Sequence, residues 1–430
     1  MPSLRAIALA ALSASSGLAA PTSSNSSSSG CSSVDGPLPP SKDPWYTEPK
    51  GFESSPPGSV LRYREAPGNL TTLVNGTDKA WQILYRTMDS QYKPTFAVTT
   101  LFKPKNANNA TLLSYQIPYD TADVDASPSY AMYDFDKVVG AQAIIPGLAA
   151  GMFVNVPDYE GPLASFTAGV ISGHATLDSV RAVLNLAKEV GLAEDAKYAM
   201  WGYSGGALAS EWAGELQVQY APELNFSGNA MGGLTPNVTS VLYNINGQVA
   251  AGLAVSSMLG LGSQYPDILK KYVEKLNTDG PYNKTTFLSA YNMSLTEAGI
   301  AFLGKDISKY FKDGFDDFLN NETYKIIYND GIMGYHGVPT MPMYMYKAVH
   351  DEISNITDND ALVEKYCNMG ANIYYSRNSE GSHSDEGQAG ALSAFGWLSS
   401  VLGLQPLSSE YPTRGCKTVN VAIKTNMTSS

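Results

Sequence analysis

Charged side chains are scarce in this 430-residue sequence, and basic ones are scarcer than acidic ones. Asp, Glu, Lys and Arg make up 16% of the chain against 43% hydrophobic residues, and the formal net charge is -12. A chain this rich in apolar residues is expected to fold over most of its length. Its negative field repels phosphate, which argues against nucleic acid and anionic membrane surfaces as partners.

Long hydrophobic runs are also missing. Beyond the N-terminus no stretch approaches the roughly 18 uninterrupted apolar residues of a membrane-spanning helix, and the C-terminal TNMTSS carries no anchor tail. At the N-terminus, a basic start at residues 1–5 precedes a short run of small apolar residues. This layout predicts a signal peptide over residues 1–20, with cleavage after Ala19 or Ala20. We therefore expect a secreted protein without a transmembrane segment.

Cysteine is the third scarce feature, with three residues in the chain. An oxidising compartment favours paired cysteines, so one is left over. Cys31 lies in a Ser-rich tail, and we therefore predict a disulfide between Cys367 and Cys416 that fastens the C-terminal segment to the body. No cysteine lies at ligand spacing from another or from a histidine cluster, so no metal site is expected.

Asparagine sequons, in contrast, are abundant. N-x-S/T sequences begin at Asn25, Asn69, Asn75, Asn109, Asn225, Asn237, Asn283, Asn292, Asn321, Asn355 and Asn426. Because such sequences accept N-linked glycans, they predict a glycosylated surface made in a eukaryotic secretory pathway.

The chain divides into a short N-terminal part and one predicted domain. Residues 21–44 are rich in Ser, Pro and Gly and predict a flexible leader. Residues 45–430 form the predicted domain. Its first segments, VLRYREA, WQILYRTMDS and FAVTTLFKP, alternate apolar with polar residues and predict an antiparallel start of the sheet.

Strand and helix patterns then alternate. We predict apolar strands in TLLSYQIPYD, AQAIIPGLAAGMFVNVPDYE and KYAMWGYSGG, with a helix in TLDSVRAVLNLAKEVGL between the last two. This unit predicts the α/β class, a mostly parallel sheet with helices on its faces. Residues 245–332 show helical patterns alone and predict a cap insertion over the site. The sheet is predicted to resume at MPMYMYKAV and ANIYYSR, and a helix in EGQAGALSAFGWLSSVLG to close the fold.

One segment, KYAMWGYSGGALAS, matches the pattern G-x-S-x-G at residues 202–206. It follows an apolar strand and opens a helix of small residues, which is the strand–turn–helix arrangement of a nucleophile elbow. Gly202 and Gly206 leave room for strand and helix to approach. We predict Ser204 as the nucleophile and the Gly205 N–H as an oxyanion donor. The alternative is a Gly-rich turn with an ordinary serine.

The base should follow the nucleophile, because this fold orders its triad Ser, acid, His. His383 lies in the polar loop SEGSHSDEG, after the strand ANIYYSR and before the last helix, and we predict it as the base. His336 precedes a strand and would lie at its wrong end, and His350 ends a strand. His174, upstream of the serine, is interpreted as structural.

The acid should lie just past the carboxyl end of the penultimate strand. Asp351, directly after MPMYMYKAVH, meets this requirement and would fix the tautomer of the histidine and stabilise its imidazolium. Glu352, Asp358 and Asp360 are its competitors. A second oxyanion donor is expected in YQIPYDTADVD, from Asp120 or a neighbour, although the chain has no HGGG run.

Three segments carry a family resemblance. GYSGGALAS, VPDYEGPLASFTAG (156–169) and LDSVRA (177–182) resemble the fungal secretory lipases, over roughly residues 45–403. The resemblance implies an α/β-hydrolase fold with a helical cap and hydrolysis of triacylglycerols and simpler esters. It assigns the triad to Ser204, Asp351 and His383, and the oxyanion hole to Asp120 and Gly205. The family often has two disulfides, whereas this chain can form one.

Together these features predict a secreted serine carboxylester hydrolase that forms an acyl-enzyme on Ser204 and needs neither metal nor organic cofactor. Its expected substrate is a lipid or a small ester, including one at a lipid–water interface; the oligomeric state is left open. An acyltransferase of secondary metabolism and a serine peptidase are alternatives on the same fold. A peptidase would need paired acidic residues for a free amine, which are not visible. A non-enzymatic adhesion protein would be expected to lack the serine or the histidine.

Overall fold

The computed structural model describes residues 36–425 of the protein. These residues form a ten-stranded sheet and the helices around it. The predicted signal peptide, most of the predicted leader, Asn25, Cys31 and Asn426 lie outside these residues. The strands are β1 (Val60–Glu65), β2 (Thr77–Met88), β3 (Pro94–Pro104), β4 (Thr111–Gln116), β5 (Phe153–Pro157), β6 (Lys197–Tyr203), β7 (Asn229–Gly232), β8 (Met343–Ala348), β9 (Ile373–Asn378) and β10 (Cys416–Val421).

The sheet begins antiparallel and continues parallel. Its order is β1-β2-β3-β5-β4-β6-β7-β8-β9-β10. The pairs β1–β2, β2–β3 and β3–β5 are antiparallel, and every pair from β5–β4 onward is parallel. The predicted α/β class and the antiparallel start are confirmed.

Helices cover the sheet and fill the long connection between β7 and β8. They are α1 (Leu70–Leu73), α2 (Pro128–Ala131), α3 (Ile144–Ala149), α4 (Gly169–Asn185), α5 (Ala187–Val190), α6 (Gly205–Tyr220), α7 (Val238–Ile245), α8 (Ala251–Ser263), α9 (Pro266–Glu274), α10 (Lys284–Leu288), α11 (Leu295–Ala301), α12 (Asn321–Asp330), α13 (Ile356–Asn368), α14 (His383–Ala389) and α15 (Ala391–Val401). In the described residues no helix is long and apolar enough to cross a membrane.

The central helices α4 and α6 pack closely on each other because glycine stands at their contact. A Cβ atom at Gly173 would lie 2.8 Å from the backbone carbonyl oxygen of Trp212. Nearly every residue of α4 is buried, and α6 is buried from Gly205 to Gln217. This tight pair supports β6 and the turn that follows it.

The connection between β7 and β8 has a hydrophobic core of its own. Its buried members include Leu242, Leu259, Phe287, Phe302 and Tyr310. We call the segment α7–α12 the cap. It starts earlier than the predicted boundary at residue 245, because the Asn237 side chain accepts hydrogen bonds from the Thr239 and Ser240 N–H groups and so begins α7.

Two other sequence-based assignments need correction. The segment IIPGLA was predicted as strand but forms α3, since a proline in the first turn of a helix is tolerated and one in a central strand is not. The closing helix is not the last element, because β10 adds to the parallel edge beside β9. Most residues of β10 are exposed, so its sequence lacks the apolar pattern of a buried strand.

The end of the predicted flexible leader is tied to the domain. The backbone N–H and hydroxyl of Ser41 both donate to the carboxylate of Asp125, and Asp43 pairs with Arg64 at 2.7 Å. Residues 36–44 therefore hold a defined course, unlike the prediction made from their composition.

Most sequon asparagines within the described residues face solvent. Asn69, Asn75, Asn109, Asn225, Asn292, Asn321 and Asn355 are exposed. Asn237 and Asn283 are half-buried and use their side-chain oxygens to cap α7 and α10.

Cys367 and Cys416 form a disulfide, across a sequence separation of 49 residues. It joins the end of α13 to the start of β10.

The double replacement C367S/C416S is expected to lower the free energy of unfolding by about 2–4 kcal/mol, because the crosslink restricts the unfolded chain. Urea unfolding of variant and parent measures the difference. With reducing agent present the two curves should coincide, and equal midpoints without it would contradict the prediction.

Candidate active site

Ser204 stands on a sharp turn between β6 and α6. Its backbone is left-handed, with φ at +55°. Strand and helix approach so closely that a Cβ atom at Gly202 would lie 2.1 Å from the Gly206 carbonyl oxygen, and one at Gly206 would lie 1.9 Å from that of Gln116. Only glycine fits at these two positions. The local structure is the predicted strand–turn–helix, with Ser204 at its tip.

Ser204, His383 and Asp351 lie in one hydrogen-bonded chain. His383 Nε2 is 2.9 Å from Ser204 Oγ, and His383 Nδ1 is 2.7 Å from Asp351 Oδ2. The structure thus brings together the three residues predicted as a triad, in the order nucleophile, base and acid. An imidazole between a hydroxyl and a carboxylate can take the hydroxyl proton on one nitrogen while the other is held by the carboxylate.

His383 begins a helix, whereas the sequence analysis placed it in a loop. Ser382 caps α14 in a capping box with Asp385. The signal was present in the sequence as the pattern S-x-x-D at residues 382–385. Because this capping box fixes the first turn of α14, the histidine is held on a rigid element.

The Asp351 carboxylate is fully buried and all of its acceptor sites are used. Oδ1 accepts from the Ile353 and Ser354 N–H groups, and Oδ2 accepts from Lys347 Nζ at 2.9 Å besides facing His383. Burial alone would raise the pKa of Asp351. The hydrogen bonds and charges of His383 and Lys347 outweigh burial and hold the pKa well below its usual value.

Three supporting residues surround His383 and Asp351; Glu352 was considered from the sequence only as a competing acid, and Tyr203 and Lys347 were not considered. Tyr203 donates its hydroxyl to the His383 carbonyl at 2.5 Å, and Glu352 accepts from the His383 N–H at 2.8 Å. Lys347 lies in β8, where every residue is buried. A lone lysine within an apolar strand was the signal for it, since a buried charge requires a partner inside the protein.

The other aspartates and histidines weighed in the sequence analysis have different surroundings. Asp360 pairs with Arg377 at 3.0 Å, and Asp358 lies in the first turn of α13. The His336 ring packs against Trp212 at a tilt of 50°, and its Nδ1 lies 3.7 Å from Glu215 Oε2. His350 is exposed. His174 is wholly buried between Tyr92 and Tyr220, and burial lowers its pKa to about 3.

Asp120 and Gly205, the predicted oxyanion residues, touch beside Ser204. A Cβ atom at Gly205 would lie 1.9 Å from Asp120 Oδ1. The Asp120 backbone is left-handed, with φ at +44°, and Oδ1 is buried without a hydrogen-bond partner in the described part of the chain. Burial raises the pKa of Asp120 to about 7. Its carboxyl group is therefore protonated at mildly acidic pH and can then donate a hydrogen bond.

The loop that carries Asp120 is held from both sides. Tyr119 accepts from the Glu160 N–H at 2.7 Å on the core side, and Thr121 donates to the Met293 carbonyl at 2.7 Å in the cap. Since Thr121 joins this loop to the cap, displacement of the cap would disturb the loop beside the serine.

A cavity with an empty volume of about 650 Å³ lies over Ser204, between the sheet and the cap. Apolar side chains dominate its wall and include Leu208, Leu242, Met258, Leu261, Phe318 and Ile327. Besides Ser204, four hydroxyl residues interrupt this wall, namely Thr167, Thr235, Thr239 and Ser257. The cavity suits a mainly apolar substrate whose reacting group reaches Ser204.

Known proteins resemble the chain along most of its length. The family model described as secretory lipase matches residues 136–409. A trichothecene C-3 esterase of Fusarium sporotrichioides is 51% identical over 381 residues, which cover 86% of this chain and 85% of that protein. Lipase A of Arthroderma benhamiae is 38% identical over 404 residues, which cover 90% of this chain and 84% of that one.

A solved structure has a similar fold. Candida antarctica lipase A in its closed state matches with a TM-score of 0.80 and 25% identity, and the match covers 92% of each chain. The resemblance noted in the sequence is thereby confirmed. The chain belongs to the secretory lipase family and is an ester-hydrolysing enzyme of the α/β-hydrolase fold.

Proposed function

We propose that this enzyme is a secreted serine carboxylester hydrolase, with Ser204 as nucleophile, His383 as general base and Asp351 as orienting acid. The proposal is carried by the unbroken chain of contacts from Ser204 Oγ through His383 to Asp351 beneath an apolar cavity. Triacylglycerols and simpler apolar esters, in solution or at a lipid–water interface, suit such a cavity.

In the first half-reaction Ser204 Oγ bonds to the ester carbonyl carbon while His383 Nε2 takes its proton. The carbonyl electron pair moves to the oxygen, which is stabilised by donors at Gly205 and Asp120. Collapse of this intermediate breaks the bond to the alcohol oxygen. The alcohol leaves with the proton from His383, and the acyl group stays on Ser204.

In the second half-reaction water attacks the acyl carbon and His383 again takes a proton. The carboxylic acid leaves, and Ser204 Oγ recovers its proton from His383. Water is the only co-reactant in this sequence of steps. An alcohol in its place would give acyl transfer, so product analysis with and without an acceptor alcohol separates hydrolase from acyltransferase.

Secretion and glycosylation belong to the same proposal. The predicted signal peptide at residues 1–20 and the many sequons support it, as does the exposure of most sequon asparagines. After removal of the signal peptide, we expect the exported protein to consist of the leader at residues 21–44 and the single domain at residues 45–430 with its cap insertion.

Ser204→Ala is expected to lower kcat/KM for 4-nitrophenyl butyrate by at least about 10³-fold and to abolish labelling by a fluorophosphonate probe. The matched control is Ser400→Ala, whose hydroxyl bonds to the Gly396 and Pro406 carbonyls in and after α15, away from the cavity. This control should keep both activity and label. A Ser204→Ala variant within about tenfold of the parent would remove the nucleophile assignment.

Asp120→Asn tests the oxyanion donor through its pH dependence. Because the pKa of Asp120 is raised to about 7, the carboxyl group is neutral below that pH and ionises above it, where its charge opposes the oxyanion. Parent activity should therefore fall as pH rises through about 7, and the variant, whose amide stays neutral, should lack this decline. The same alkaline decline in both enzymes would exclude Asp120 as its source.

A second candidate, hydrolysis of a trichothecene ester, is favoured by the 51% identity to the trichothecene C-3 esterase. The cavity offers a supporting observation. Thr239 lines it, and the Thr239 hydroxyl is buried without a hydrogen-bond partner among the residues that the structure describes. An alcohol moiety with further oxygen atoms would give this hydroxyl a partner, whereas a hydrocarbon chain would not.

Thr239→Val preserves the shape of the side chain and removes the hydroxyl. For the C-3 acetate of a trichothecene we expect kcat/KM to fall about tenfold, the effect of one lost hydrogen bond, and for 4-nitrophenyl acetate to change less than about twofold. An equal loss on both substrates would indicate a packing effect. If the parent, labelled at Ser204, leaves the trichothecene acetate intact, the second candidate fails and the first stands.

A further inference from the structure

We propose that Lys347 is a positioning residue of the triad, which holds the Asp351 carboxylate against His383 and keeps the enzyme active at acidic pH. The inference rests on the proposed function, because it assigns Lys347 an effect on the reaction through Asp351 and His383. Lys347 does not line the cavity and has no contact with a reacting atom.

The geometry places the ammonium group on the same oxygen that faces the histidine. The Lys347 side chain has no exposed surface, and Nζ donates to Asp351 Oδ2 at 2.9 Å and to the Leu234 carbonyl at 2.8 Å. Asp351 Oδ2 is also the atom 2.7 Å from His383 Nδ1. Two N–H groups hold the other carboxylate oxygen. The carboxylate therefore has no freedom to rotate away from the histidine.

Lys347 and Asp351 stabilise each other as a buried ion pair. Burial lowers the pKa of Lys347, and the charge and hydrogen bond of Asp351 act against that shift. Loss of either partner would leave an uncompensated charge inside the protein. A neutral donor at this position could hold the carboxylate by hydrogen bonds alone, so we assign a separate effect to the charge.

That effect follows from competition for one carboxylate. When His383 takes a proton, the imidazolium and the ammonium group both attract Asp351 Oδ2 and repel each other. Loss of the ammonium charge would remove this repulsion, and we expect the acid limb of activity to move to higher pH.

The other charged and titratable groups around the histidine either oppose the effect of Lys347 or are hydrogen-bonded to partners of their own. Tyr203 on β6 donates to the His383 carbonyl, and Glu352 accepts from its N–H. On α14 itself, Asp385 is bound to Ser382 and Glu386 to Asn378. Asp358 on α13 and Glu352 also act on Lys347 and favour its charged form. Burial raises the pKa of Glu386 to about 7, so this carboxyl group is neutral at acidic pH. The ionised acidic groups attract the imidazolium, and the Lys347 ammonium group repels it.

The test compares Lys347→Gln and Lys347→Met with the parent. The Gln amide can still donate to Leu234 and Asp351, so this variant removes the charge and keeps donors, while Met removes both. In each, we expect the midpoint of the acid limb of kcat/KM for 4-nitrophenyl butyrate to move up by about one pH unit. The rate constant of fluorophosphonate labelling should move in parallel. Permanently misfolded protein lowers the amplitude of labelling and leaves this rate constant unchanged, so the two effects are told apart.

Lys347→Arg is the control that retains the charge. Its acid limb should stay within about 0.3 pH units of the parent, even if the larger guanidinium lowers stability. An unmoved acid limb in the Gln and Met variants, or an equal shift in the Arg variant, would overturn the role of the charge. If the parent itself takes no label, the proposed function fails. If the parent is labelled and the limb does not move, only this inference fails.

Discussion

The left-handed backbone at Ser204 is the constraint on which the arrangement of the site depends. A non-glycine residue resists a φ of +55°, so the surrounding structure has to hold the turn in place. The Ser204 N–H donates to the Gly232 carbonyl at 2.9 Å, which ties the turn to β7. On the other side, Gly206 lies against the backbone of β4. The hydroxyl consequently projects toward the cavity, and the start of α6 lies beneath it.

Charged residues are scarce in this chain, yet an ion pair is buried beside His383. Asp351 and Lys347 are both wholly buried as side chains, and each is the other's partner. Asp120 is buried as well, but within residues 36–425 no cation pairs with it, and burial therefore raises its pKa where that of Asp351 is lowered. Two buried aspartates thus differ in protonation at neutral pH because of their neighbours, which suits one to orient a base and the other to donate a hydrogen bond.

Local patterns predicted much of the fold, and they failed where a distant contact decides the structure. Alternation and helical spacing indicated nearly all central strands and α4, since one face of each packs on the core. β10 escaped because most of its side chains are exposed and its position depends on β9 and the Cys367–Cys416 bond. The prediction for IIPGLA failed because its apolar residues suit a buried strand as well as a buried helix, and only Pro146 argues against the strand.

The sequence by itself determined the order of the chemical groups: G-x-S-x-G at residues 202–206, then Asp351, then His383, with cysteines that could pair. Only the tertiary structure decided that Ser204, His383 and Asp351 touch, that Asp120 lies against Gly205, and that Lys347 shares an oxygen of Asp351 with His383. The reason is physical. Local structure depends on neighbours along the chain, whereas these contacts depend on how the parallel strands and the capped start of α14 bring distant residues to one edge of the sheet.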